Sequence, residues 1–140
     1  MRITSVTGGD CLNPVFASSV DRVYSQTLSL QQDGSALTGR VPATIYGVDC
    51  NLTGTATRNA LSLRSSDCSP LGSPASPSIP VACSSGGELR ITSPTVAADI
   101  TTSGSSGTGT YSETFIVTSP TTGQQVSTMT VNGSVTMTRQ

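Results

Sequence analysis

The run CNLTGTATRNALSLRS, residues 50 to 65, decides the fold. Leu52, Gly54 and Ala56 alternate with Thr53, Thr55 and Thr57, the period of two that places alternate side chains on opposite faces of a strand. A two-residue turn at Arg58 and Asn59 pairs Ala56 with Leu61 and Gly54 with Leu63, which gathers every apolar group on one face. A slip of one residue would move that set to the wrong side, so the register is strongly specified.

Working outward, the same pattern recurs. Tyr24, Leu28 and Leu30 mark a strand over 23 to 31, Asp33, Gly34 and Ser35 supply turn chemistry, and Leu37, Gly39 and Val41 face one way while Thr38 and Arg40 face the other, which makes a hairpin. Alternation resumes with Leu89 and Ile91, then Val96, Ala98 and Ile100. A Gly/Ser turn over 103 to 107 precedes a strand carrying Tyr111, Glu113, Phe115 and Val117, and the turn Pro120, Thr121, Thr122, Gly123 leads to a last strand with Met129, Val131, Gly133, Val135 and Met137 on one face. No window sustains a helical period. The expectation is a single all-β domain over 1–140, an antiparallel up-and-down meander of seven to nine strands, with an N-terminal arm over 1–22 and a Pro/Ser-rich excursion over 68–87. A meander with one apolar face must close into a barrel or fold into a sandwich. Glycines inside strands, at 39, 47, 54, 109 and 133, favour the barrel, because sharply curved strands need them.

Composition narrows function by exclusion. The 140 residues contain no His, Lys or Trp, and seven Arg against eight acids leave a net charge of −1 without any basic cluster. Nucleic acid and anionic membrane are therefore poor partners. The apolar runs are too short for a spanning helix, and five aromatics are too few for the girdles of a membrane barrel, so no membrane insertion is expected. Residues 1–6, MRITSV, lack a charged and then apolar leader, so either a signal peptide has been removed or Met1 is an expression start, and no apolar stretch before Cys11 suggests a lipid anchor.

Cys11, Cys50, Cys68 and Cys83 are spaced by 39, 18 and 15 residues, with no Cys-x-x-Cys pair and no His to complete a zinc site. Asp10, Asp49 and Asp67 each precede a Cys and work against thiolate formation. Two disulfides in an oxidising compartment follow, secreted, periplasmic or at a cell surface. Of the three connectivities, Cys68 to Cys83 is favoured because it closes CSPLGSPASPSIPVAC, whose Pro and Ser content opposes regular structure. Cys11 to Cys50 follows by elimination. That second bridge would bring Asp10 and Asp49 together as oxygen ligands of the kind calcium takes, although Asp before a strand end also simply caps turns. The sequons at Asn51 and Asn132 matter only in a eukaryotic secretory host.

The segments LSLQQDGSALTGRV and CNLTGTATRNALSLRS, with the closing GTYSETFIVTS and GSVTMTRQ, resemble the meander of bacterial secreted proteins with lipocalin-like or avidin-like barrels, over residues 23 to 139. The resemblance implies a calycin-type barrel. It implies no particular ligand, because the Gly-x-Trp of lipocalins and the Trp walls of the biotin pocket have no counterpart here.

Without His or Lys, a Ser-His-Asp triad, a Cys-His dyad, a Schiff-base lysine and a Walker lysine are excluded, and no enzyme activity or cofactor is expected. Two functions remain in view. The first is a secreted barrel holding a small apolar molecule in a lumen lined by Tyr24, Tyr46, Tyr111, Glu113 and Phe115, where Glu113 is the candidate polar group. Against it stands the opposite facing of that strand, with Thr110, Ser112, Thr114 and Ile116 buried and Glu113 solvated; only with the facing of their own strands reversed would Arg40 or Arg64 reach Glu113. The second is a structural or adhesive module that self-associates or joins a cell-surface assembly, since low charge and the lack of Lys leave strand edges unprotected. The Thr-x-Thr rows at 53–57, 108–110 and 128–138 offer either a hydroxyl surface suited to ice or carbohydrate or the ordinary β-propensity of an exposed face.

Overall fold

The computed structural model describes residues 1–8, 17–42, 48–69, 79–82 and 88–139. Their strands are β1 (Arg2–Thr7), β2 (Ser29–Asp33), β3 (Ala36–Val41), β4 (Cys50–Ala56), β5 (Ala60–Cys68), β6 (Ile79–Ala82), β7 (Glu88–Ser103), β8 (Ser106–Thr118) and β9 (Gln125–Thr138). All pairings are antiparallel within one sheet ordered β1-β9-β8-β7-β5-β4-β3-β2, with β6 alongside the start of β7. The end strands β1 and β2 do not pair with each other, so the sheet is open.

The register read from residues 50 to 65 is the one observed, with Ala56 opposite Leu61 and Gly54 opposite Leu63. Gly34 and Gly104, at φ 58° and 59°, begin the two-residue turns between β2 and β3 and between β7 and β8, the left-handed position glycine takes without steric cost. In β7 the apolar positions change from odd (Leu89, Ile91) to even (Val96, Ala98, Ile100). The ladder with β8 shifts register between Ile91 and Pro94 to absorb the change.

Three expectations are corrected. The strand over 23 to 31 shortens to β2 at Ser29–Asp33, and Val23 instead bridges Arg2. Part of the N-terminal arm is β1, held on β9 because Ile3 is fully buried. The Pro/Ser-rich excursion contains a regular element after all: β6 pairs with β7, its Pro80 in a short strand with few main-chain donors to forgo.

The core is one cluster on one face. A single inward row runs Leu37, Gly54, Leu63, Ala98, Tyr111, Gly133, Ile3 across seven neighbouring strands, alternating large and small so that adjacent side chains interdigitate. Gly54 in this row, and Gly109 between Ile100 and Val135, are required: a Cβ on either would fall 2.0 Å from the carbonyl oxygen of Ser62 or Asp99. The outward row beside it runs Thr55, Ser62, Asp99, Thr110, Ser134. No described helix is long and apolar enough to cross a membrane.

The disulfide also differs. Cys50 bonds Cys68, with Cα atoms 4.0 Å apart, which excludes both Cys68 to Cys83 and Cys11 to Cys50. The two residues lie directly across β4 and β5. Cys11 and Cys83 are outside the described residues.

Candidate functional site

Strand β8 carries the candidate polar group. Its alternation buries Tyr111, Glu113, Phe115 and Val117 and leaves Thr110, Ser112, Thr114 and Ile116 on the other side, so of the two facings the inward one for Glu113 is observed. Val96 lies opposite Glu113 on one side and Val131 on the other. The carboxylate is fully enclosed, and the Tyr111 hydroxyl donates to its Oε2 at 2.7 Å. A carboxyl in such apolar surroundings is costly unless hydrogen-bonded, and the phenol two residues away on the same face supplies one bond.

The other expected lining residues separate. Phe115 is adjacent to Glu113 on the inner face, without accessible surface. Tyr24 is half-buried against the edge of the core cluster, where its N–H donates to the Met1 carbonyl at 2.8 Å and its own carbonyl accepts from the Met1 amino group at 2.8 Å. Tyr46 lies outside the described residues. Because neither Glu113 nor Phe115 borders a space as large as a water molecule, a ligand reaching them has to displace packed side chains.

The arginines serve the outer face. Arg40 pairs with Asp49 at 2.6 Å, and Arg64 pairs with Asp99 across β5 and β7 at 2.8 Å. Ser62 donates to Asp99 Oδ1 at 2.7 Å. The Arg64 hydrogen bond, followed by that of Ser62, holds the Asp99 carboxyl below the usual carboxylate range, and the same bond raises Arg64. Asp49 is thus engaged by Arg40, and the reason for bringing it to Asp10 disappears with the Cys11 to Cys50 bridge; Asp10 lies outside the described residues. Among the described residues no three His, Cys, Asp or Glu side chains gather around a common point.

Sequence reasoning missed the Arg64, Asp99 and Ser62 group. The signal was available: once β5 and β7 are neighbours, their outward positions 62, 64 and 99 fall together. That pairing skips over β6 and is not a local hairpin, so the pattern of either strand alone does not reveal it.

No protein-family model, no curated protein and no solved structure matches this chain.

Proposed function

We propose that the chain is a non-enzymatic extracytoplasmic β domain that works through its outer face, as a structural or adhesive module at a cell surface. The observation that carries this reading is the contrast between the two faces of one sheet. Ile3, Glu113, Phe115, Val117, Met129 and Val131 have no accessible surface, so the inner face is committed to packing. Outside, Thr38, Thr53, Thr55, Thr110 and Ser134 are exposed.

A sealed inner face on an open sheet is best explained by a sheet curled toward a barrel. Arg2 bridges Val23, Ile3 N–H donates to the Arg22 carbonyl, and a few residues later the chain pairs with β3 as β2. One stretch of chain therefore meets both edges. The Cys50–Cys68 disulfide supports an oxidising compartment.

The test is fractionation of the source cells together with native mass spectrometry. The expected result is retention with the cell envelope, release by lysine substitutions on the outer face such as Thr53→Lys with Thr55→Lys, and a released protein without small-molecule adduct. Protein free in the medium and carrying an adduct would overturn the reading.

A second reading, a small apolar molecule held on the inner face, draws support from the buried Tyr111–Glu113 hydrogen bond. A ligand would enter by parting β1 from the run before β2, and the retained adduct is its signature.

A further inference from the structure

A shallow cavity of about 250 Å³ opens on the outer face, lined by Thr4, Ala97, Asp99, Thr110, Ser112 and Asn132 among others. Register builds it. Ala97 lies opposite Ser112, Ser112 opposite Asn132, and Asp99 opposite Thr110. Thr4 comes from the irregularity in β1, where the ladder with β9 steps from Ile3 to Ser5. Ala97 offers only a methyl group, so a gap is left among longer polar neighbours.

The polar groups are held in place. Asp99 is fixed by Arg64 Nη2 at 2.8 Å and by the Ser62 hydroxyl at 2.7 Å. Asn132 donates from Nδ2 to Ser5 Oγ at 3.3 Å, and the Thr4 hydroxyl donates to the Asn132 carbonyl at 3.2 Å.

The lining decides the class of ligand. An apolar molecule would find the methyl groups of Ala97, Thr4 and Thr110 but would also have to strip water from Asp99, Ser112 and Asn132. An anion would meet the Asp99 carboxylate, with Arg64 already committed to it. A divalent cation would find a single carboxylate where it takes six or more oxygen ligands. A neutral polyhydroxy molecule suits what is present: Asp99 accepts from ligand hydroxyls, the Asn132 amide both donates and accepts, and the Thr4, Thr110 and Ser112 hydroxyls do either. We propose that this cavity binds a single pyranose ring of a saccharide. The proposal rests on the outer face being the working surface. A volume under the roughly 300 Å³ at which drug-sized pockets begin limits it to one ring, and repeated copies along a glycan or a cell surface would raise weak single-site binding to useful avidity.

The experiment is amide chemical-shift mapping on the ¹⁵N-labelled protein with methyl α-mannoside, methyl β-glucoside and methyl β-galactoside, each raised to about 50 mM so that a millimolar dissociation constant is saturated. At least one glycoside is expected to give saturable shifts at Thr4, Ala97, Asp99, Ser112 and Asn132. Ala97→Leu, which fills the gap, should abolish them, and Asp99→Asn should weaken binding tenfold or more. Absence of saturable shifts with all three glycosides, shifts centred elsewhere, or binding unchanged by Asp99→Asn overturns the proposal; Asp99→Asn decides alone if Ala97→Leu does not fold. Envelope retention without saccharide shifts overturns this site and leaves the surface-module reading standing, whereas saccharide shifts without retention do the reverse.

Discussion

Cys50 lies directly opposite Cys68 because β5 contains one residue more than β4 at that end: Leu52 pairs with Ser65, Asn51 pairs with Asp67, and Ser66 is passed over. The bulge turns the cysteine into register and sends Asp67 outward. Covalent closure and strand pairing thus constrain the same 18-residue separation. Replacing both cysteines by alanine is expected to cost about 3 kcal/mol in the chain-entropy model, seen as a lower urea midpoint with little change in the native far-UV spectrum. An unchanged midpoint would mean that the hairpin register persists in the unfolded chain and already supplies the constraint.

Deleting Ser66 tests the bulge itself. Without it the ladder runs on unbroken from the Leu52–Ser65 pair, so that Asp67 still falls opposite Asn51 and Cys68 opposite Cys50. The deletion variant should therefore keep the disulfide and expose no thiol of this pair to a labelling reagent under native conditions; two free thiols would mean that the bulge itself is needed to align the cysteines.

These residues also show what the sequence reveals and what it does not. The hairpin over 50 to 65 is legible because its constraints are local: alternation, a short turn and one apolar face agree. The inward facing of Glu113 follows from the same rule once Phe115 and Val117 are seen to share its parity. The disulfide was misread because spacing and loop composition carry no information on a bulge, which costs one residue and leaves no compositional trace. The pairing of β5 with β7, and with it the Arg64, Asp99 and Ser62 group on the outer face, depends on strand order, which alternation within single strands does not encode.

Gly54 gives a sharper test of packing than its helix or strand propensity would suggest. Its missing Cβ makes room for the Ser62 carbonyl of the neighbouring strand, at 2.0 Å from the position a methyl would take. Gly54→Ala must push backbone against backbone, and a loss of about 1–3 kcal/mol is expected from overpacking. Gly34, by contrast, sits in open space at φ 58°, so Gly34→Ala should cost roughly 1–2 kcal/mol from the left-handed backbone alone. Thermal melts of the two variants measure the two losses.

The Arg64–Asp99 pair predicts a small acid-side contribution to stability. The folded Asp99 carboxyl titrates below its unfolded value, held down first by the Arg64 hydrogen bond and then by Ser62. Native protein therefore binds that proton less readily than unfolded protein does. The contribution is complete above the ordinary Asp value of about 3.9 and is lost as pH falls through the lower folded value. Both side chains are about half exposed, so the gain is under about 1 kcal/mol and fades with salt. An NMR titration should place the Asp99 midpoint below that of a free aspartate, and Arg64→Gln should move it upward.

Inside, the bond between Tyr111 and Glu113 is open to a double-mutant cycle. Tyr111→Phe removes the hydroxyl that donates to Oε2 in a fully buried environment, which should cost about 1–3 kcal/mol, the penalty for taking a donor from a buried acceptor. Glu113→Leu should cost a comparable amount, since it removes the buried acceptor of the Tyr111 hydroxyl. The two together should cost less than their sum by about 1 kcal/mol or more, because in contact pairs the second loss no longer strands a partner. Urea midpoints of the four proteins give the coupling directly. Additive losses would mean that the phenol and the carboxyl are each stabilised by other neighbours, and would shift attention from this pair to the strands that enclose it.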